Sequence, residues 1–166
     1  MKLAVPMERL SDESRVAVSP ETVKKLIVLG FEVFIESGAG NEACYSDHIY
    51  SEAGASVSAD LSSIITKADV VLKVRGVDEN AGDDLSQYTS NNILIANLSA
   101  LGNIKAMEKL AATGVTAFGM ELMPRITRAQ SMDILSSQSN LAGYKAVLDA
   151  ASALGRAYPM MMTAAG

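Results

Sequence analysis

Strand-like and helix-like segments alternate along the first 120 residues, and this alternation limits the possible folds more than any other feature. Apolar, extended segments occur at KLAVP, FEVFIE, DVVLKV, NILIAN and VTAFGM, and segments with helical spacing of apolar residues separate most of them. Neighbouring parallel strands need a crossover helix that packs on the sheet. The pattern therefore predicts an α/β fold, a flavodoxin-like, mostly parallel sheet flanked by helices.

Several predicted helices carry clear start and stop signals. Ser19 is a favourable N-cap, Pro20 suits the first helical position, and Gly30 can adopt the left-handed conformation that ends a helix. A second helix is expected from Asn103 to Thr113, before Gly114. The segment VAVSP, just before the first helix, is expected to be a short extended piece.

The longest predicted helix follows the last strand and should bridge to another part of a larger protein. It runs from about Ile134 to Ala157 and stops before Pro159. The expected domains are an N-terminal α/β lobe at 1–133, a long linker helix at 134–158 and the start of a connection at 159–166.

Charge and composition narrow the possible partners and compartments. The net charge of −5 and the pI near 4.9 argue against nucleic acid or an anionic membrane as a partner. Cys44 is the only cysteine, so an intrachain disulfide is excluded, and the N-terminus does not resemble a signal peptide. No apolar run reaches the ~18 residues of a membrane span. We expect a cytoplasmic chain without a membrane span.

Two local patterns suggest chemistry that their surroundings do not favour. Gly38, Gly40 and Ala43 satisfy G-x-G-x-x-A after a predicted strand, but a turn follows where a dinucleotide fingerprint needs a helix N-terminus. We interpret them as a strand-to-helix turn. His48 is the only histidine and has no nearby histidine or cysteine partner, so we predict neither a metal site nor a nucleophile–histidine pair.

A dense polar segment, RITRAQSMD (125–133), lies between the last strand and the long helix. With its flanks it reads GMELMPRITRAQSMDILSSQSNLAGY, which closely resembles the alpha subunit of proton-translocating nicotinamide nucleotide transhydrogenase, its NAD(H)-binding component. ERLSDESRVAVSPETVKKLIVLGFEVFIESGAG, SDHIYSEAGA, ADVVLKV and YPMMMTAAG extend the resemblance over essentially the whole chain. The N-terminal domain family shared by alanine dehydrogenase and transhydrogenase is thereby indicated.

The resemblance implies that this loop passes over the nicotinamide of bound NAD(H). The implied cofactor-binding residues are Arg125, Ile126, Thr127, Gln130, Ser131, Met132, Asp133 and Ser136. An amide and a carboxylate can hydrogen-bond the carboxamide and ribose, and a guanidinium can hold the carboxylate. Hydride transfer between two nicotinamides needs distance, orientation and water exclusion rather than an acid or base, so we predict no catalytic side chain.

The resemblance also implies partners. They are a second copy of the chain, the NADP(H)-binding component, the membrane domain and a dinucleotide-binding Rossmann half, which is absent from this chain. The expected place is cytoplasmic, peripheral to the inner membrane through partner subunits. Alone, the chain is expected to be catalytically silent.

Three alternatives remain open at this point. The first is structural: Asp133 and Ser136 cap the helix while Arg125 and Arg128 stay solvated. The second is an alanine dehydrogenase-like lobe, since Arg15 matches the arginine that faces the substrate carboxylate in that family. The third is a non-catalytic interaction module.

The alanine dehydrogenase alternative lacks its proton-transfer groups. Where that family has a lysine and a histidine, this chain has Arg75 and Ser99. Lys73 is expected on the same strand face as Arg75 and is a weak substitute.

Overall fold

The structure, a computed structural model, describes residues 1–156, with the exception of the Leu61 side chain. Contacts divide the chain into two compact units, Met1–Leu122 and Met123–Gly166. The segment RITRAQSMD therefore belongs to the second unit, together with the long helix. The domain boundaries expected from the sequence stay predictions.

The first unit is built on a six-stranded parallel sheet. Its strands are β1 (Lys2–Val5), β2 (Glu32–Glu36), β3 (Ser56–Ser58), β4 (Val70–Arg75), β5 (Ile93–Asn97) and β6 (Thr116–Gly119). They lie in the order β3-β2-β1-β4-β5-β6. Without the three-residue edge strand β3, this is the flavodoxin-like order of five strands.

Helices flank the sheet, which confirms the predicted fold class. They are α1 (Pro20–Val28), α2 (Asp47–Glu52), α3 (Leu61–Thr66) and α4 (Ile104–Ala112), and the second unit contains α5 (Ile134–Ala153). Two 3-10 turns, Glu79–Ala81 and Leu85–Gln87, connect β4 to β5.

The two faces of the sheet carry separate apolar clusters. On the first face, Leu3, Val5, Val33 and Ile35 pack with residues of α1 and α2. On the second face, residues including Ala4, Val71 and Leu94 pack with α3 and α4. This alternation along each strand is the expected pattern for a sheet covered on both sides.

Most predicted helix ends agree with the structure. The Ser19 hydroxyl accepts a hydrogen bond from the Thr22 amide, Asn103 caps α4 in the same way, and Gly30 and Gly114 have φ of 90° and 77°. The VAVSP segment is not a strand, although Val18 is buried in the first cluster.

Helix α5 ends earlier than the sequence predicts. Its last helical residue is Ala153, because Leu154 takes an extended conformation with φ −75° and ψ 105° and Gly155 follows. Glycine favours helix termination through its backbone freedom. The expected end at Ala157 and the connection at 159–166 lie outside the described residues.

Candidate functional site

The polar segment forms a short irregular helix at the entrance to α5. Thr127–Met132 is a 3-10 helix that follows the extended residue Ile126. The Ala129 amide donates to the Ile126 carbonyl at 2.9 Å, and the Asp133 amide donates to the Gln130 carbonyl at 3.3 Å. Ala129 is buried. These contacts fix the backbone while most neighbouring side chains remain exposed.

Asp133 is the N-cap of α5. Its Oδ1 accepts hydrogen bonds from the Leu135 amide at 3.0 Å and the Ser136 amide at 3.1 Å, and its Oδ2 accepts from the Ser136 hydroxyl at 2.6 Å. The hydrogen bonds from Ser136, with help from nearby Arg125, lower the pKa of the Asp133 carboxyl. The capping role offered by the structural alternative is therefore present.

The capping bonds leave several polar groups of the segment available to a ligand. Arg125, Thr127, Gln130 and Ser131 are exposed, and their side chains make no hydrogen bond within the described part of the chain. A carboxylate has about four acceptor positions, and Asp133 uses three of them.

This donor and acceptor set fits the nicotinamide end of NAD(H). A carboxamide needs one donor and one acceptor, and the Gln130 amide offers both. Ile126 and Met132 are half exposed beside these polar groups, at 51% and 49%, and could contact a flat ring. The binding of NAD(H) by these residues stays a prediction.

The first unit has a separate cavity at the carboxyl edge of the sheet. Its volume is about 320 Å³, and the loop after β1 lines it together with Gly38, Ala39 and Glu42. Arg15 lies in this lining, and its guanidinium donates two hydrogen bonds of 2.6 Å to the Glu13 carboxylate. The hydrogen bond from Arg15 lowers the pKa of Glu13, and the bond to Glu13 raises the pKa of Arg15.

A buried ion cluster ties the same loop to strand β4. The Lys73 ammonium lies 3.0 Å from Asp83 and 3.7 Å from Glu8, and its side chain is only 1% exposed. Glu8 also accepts hydrogen bonds from the Val74 and Arg75 amides, at 2.6 and 3.3 Å. Burial, partly offset by the charge of Lys73, raises the pKa of Glu8.

The prediction that Lys73 and Arg75 share a strand face is wrong. Residues 70–72 pair in step with residues 93–95, but Arg75 pairs with Asn97, so the register shifts by one residue between Leu72 and Arg75. Such a bulge moves the following side chain to the other face. Lys73 is enclosed by carboxylates, whereas the charge of Arg75 acts on Glu13.

Ser99, the other position compared with alanine dehydrogenase, lies just after β5. It is exposed and has a left-handed backbone with φ 51°. The Glu121 carboxylate accepts hydrogen bonds from the Leu98 and Ala100 amides on either side of it, at 3.0 and 2.9 Å. The edge at this point is closed by a structural carboxylate.

The glycine-rich turn after β2 is a packing feature, as interpreted from the sequence. A Cβ at Gly40 would lie 2.6 Å from both the Tyr45 carbonyl oxygen and the Tyr50 ring. Gly40 is followed by a 3-10 turn at Asn41–Ala43 rather than by an α-helix. His48 is exposed on α2, with its Nδ1 3.7 Å from Glu52.

Sequence reasoning missed the carboxylates that bind backbone amides at the carboxyl ends of the strands. Glu8, Glu36, Asp83 and Glu121 all do so, often across long sequence separations. No local pattern marks them, because their partners lie on other loops. Over residues 1–156 the structure contains no cluster of three or more potential metal ligands. No helix of that range has the length and apolar character to cross a membrane.

Comparisons with known proteins agree with this architecture. A family model described as alanine dehydrogenase/PNT, N-terminal domain, matches residues 4–142. An NAD(P) transhydrogenase subunit alpha of Rhodospirillum rubrum is 51% identical over an alignment that covers 100% of this chain and 44% of the relative.

Two solved structures show the same fold at different levels of similarity. Transhydrogenase from Sinorhizobium meliloti matches with a TM-score of 0.88 and 49% identity, over 100% of this chain and 48% of that chain. An L-alanine dehydrogenase matches with a TM-score of 0.68 and 30% identity, over 73% of this chain and 32% of that chain. The chain thus spans less than half the length of these relatives.

Proposed function

Because this chain belongs to the alanine dehydrogenase/PNT N-terminal domain family, we propose that it is the N-terminal lobe of the NAD(H)-binding component of a transhydrogenase. The whole protein transfers hydride between NAD(H) and NADP(H), and its membrane part couples this transfer to proton translocation. The observation that carries the proposal is 51% identity with a transhydrogenase alpha subunit along the entire chain.

The alanine dehydrogenase alternative has weaker support. Interconversion of an amine and a ketone requires proton transfers alongside the hydride. Arg75 and Ser99 stand where that family has a lysine and a histidine, and Lys73 is held between two carboxylates. The match to a solved alanine dehydrogenase covers only 73% of the chain at 30% identity.

The polar segment 125–136 has the role of positioning the cofactor. Bound NAD(H) supplies the hydride chemistry. Gln130 offers a donor and an acceptor to the carboxamide, Asp133 offers its remaining acceptor position to a ribose hydroxyl, and Arg125 holds the charge of Asp133. Fixing the ring in this way raises the rate by orientation rather than by proton transfer.

The proposed partners follow from the family. A Rossmann half binds the adenosine and pyrophosphate, an NADP(H)-binding component approaches the segment 125–136, and a membrane domain completes the enzyme. A second copy of the chain forms a homodimer. The assembly lies on the cytoplasmic side of the inner membrane, and the chain alone is inactive.

A direct test uses a longer protein that contains this chain and its downstream half, mixed with an NADP(H)-binding component. We expect transfer of hydride from NADH to an oxidised NADP analogue, followed by absorbance. We expect no NADH formation from NAD and alanine. Alanine-dependent reduction of NAD without transhydrogenation would contradict the proposal.

A further inference from the structure

The first face of the sheet becomes steadily more exposed from its centre toward β6. The residues on this face are buried at β1 and at the start of β4, where Leu3, Val5 and Val70 are 2%, 0% and 7% exposed. Ile93 and Ile95 on β5 are half-buried. Phe118 on β6, which pairs with Ile95, is 55% exposed.

The second face does not show this gradient. Ala4, Val71, Leu94 and Ala96 are between 0% and 1% exposed, so β1, β4 and β5 are all fully covered on that side. Helices α3 and α4 contribute to this cluster, with the turn that contains Leu85. The difference therefore lies in the layer above the sheet and not in the strands themselves.

Within the unit Met1–Leu122, the helices on the first face cover only part of it. Residues of α1 and α2 pack with β1 and β2, at one side of the sheet. Strands of a parallel sheet are normally covered on both faces. The strand sequences ILIAN and TAFG contain no charged residue, so this open area is apolar. We call it the β4–β6 patch, formed by Leu72, Ile93, Ile95 and Phe118.

We infer that the β4–β6 patch is covered by a helix from the polypeptide that follows this region in the longer protein. A helix is the element that covers parallel sheets, and the apolar patch requires an apolar helix face. The relatives supply the chain length for it, because this chain covers only 44% and 48% of the two transhydrogenases. The inference rests on the proposed function only in placing this chain at the start of a longer polypeptide.

Cysteine labelling tests this inference. Phe118→Cys and, as a second reporter on the same face, Thr116→Cys are made in a Cys44→Ser background, since Cys44 is exposed. Val28→Cys, at a residue that is 86% exposed on α1, is the matched control. Each variant is prepared as the 166-residue chain and as that chain joined to the downstream half of the Rhodospirillum rubrum relative, and maleimide labelling rates are compared.

We expect both β6 reporters to label about tenfold or more slowly in the longer protein, because labelling then requires local opening. Val28→Cys should label equally fast in both lengths. Equal β6 rates in the two lengths would overturn the inference. So would slow labelling of the short chain, whether it grows with protein concentration, which indicates a second copy, or does not.

Hydride transfer by the longer protein is measured separately from labelling. Transfer with unprotected β6 reporters would therefore reject the covering helix and leave the proposed function standing. Protected reporters without transfer would do the reverse.

Discussion

At the scale of single residues, Lys73 places one cation between two buried carboxylates. Glu8 and Asp83 belong to different loops, and their side chains are 3% and 8% exposed. Burying charges costs free energy, and removing one partner of such a set leaves the other charges uncompensated. The cluster therefore holds the loop after β1 and the loop after β4 in place.

We predict that Lys73→Met lowers the free energy of unfolding by about 3 kcal/mol. The matched control is Lys109→Met, which breaks an exposed ion pair with Glu79 and should change stability by no more than about 0.5 kcal/mol. Urea denaturation measures both. Equal, small effects would show that the Lys73 cluster is not structural.

Tyr50 makes stability depend on alkaline pH. Its hydroxyl donates a 2.7 Å hydrogen bond to the Val18 carbonyl, and burial raises its pKa to about 12 from an ordinary value of 10.0. A raised folded-state pKa favours the protonated folded form, so the stabilisation is complete below pH 10 and is lost as pH rises toward 12.

The variant Tyr50→Phe isolates this effect. It should be about 1 kcal/mol less stable at neutral pH, because it lacks the hydrogen bond. Between pH 10 and 12 its free energy of unfolding should fall less steeply than that of the unmodified chain. Parallel curves from denaturant titrations in this interval would contradict the assignment. Tyr88, whose pKa is also raised by burial, remains in both proteins.

At the scale of elements, the turn between β2 and α2 depends on close packing. Helix α2 has six residues, and Ser46 at its N-cap makes no side-chain capping bond. Its position therefore depends on tertiary contacts such as the approach of Tyr45 and Tyr50 to Gly40.

We predict opposite effects for two glycine substitutions. Gly40→Ala should destabilise by about 2 kcal/mol, because its Cβ overlaps backbone and ring atoms. Gly143→Ala, in α5 with open space around its Cα, should stabilise by about 0.5 to 1 kcal/mol. Thermal unfolding compares them. A Gly40→Ala chain of unchanged stability would favour the dinucleotide-fingerprint interpretation instead.

At the scale of the whole molecule, local signals predicted the order of strands and helices well. The Ser19 and Asn103 caps and the Gly30 and Gly114 ends depend on residues within a few positions. The strand Ser56–Ser58 was missed because it is short and mostly serine. The bulge before Arg75 reversed an expected side-chain direction, because strand register depends on pairing with β5.

The candidate site divides in the same way. The position of RITRAQSMD at a helix N-terminus and the cap at Asp133 follow from local sequence. The carboxylates at the sheet edge do not, since Glu8 and Val74 are 66 residues apart and Glu121 and Leu98 are 23 apart. Contacts of this kind require the tertiary fold.

The most direct test of the central claim is the hydride-transfer rate from NADH to an NADP analogue for Asp133→Asn in the longer protein. Asparagine is also a good N-cap, so the fold of α5 should be unchanged by circular dichroism, and Arg128→Gln serves as a control in the same segment. If Asp133 positions the nicotinamide, the rate should fall on the order of tenfold to a hundredfold in Asp133→Asn and stay near normal in Arg128→Gln. A normal rate in Asp133→Asn would show that this carboxylate only caps the helix.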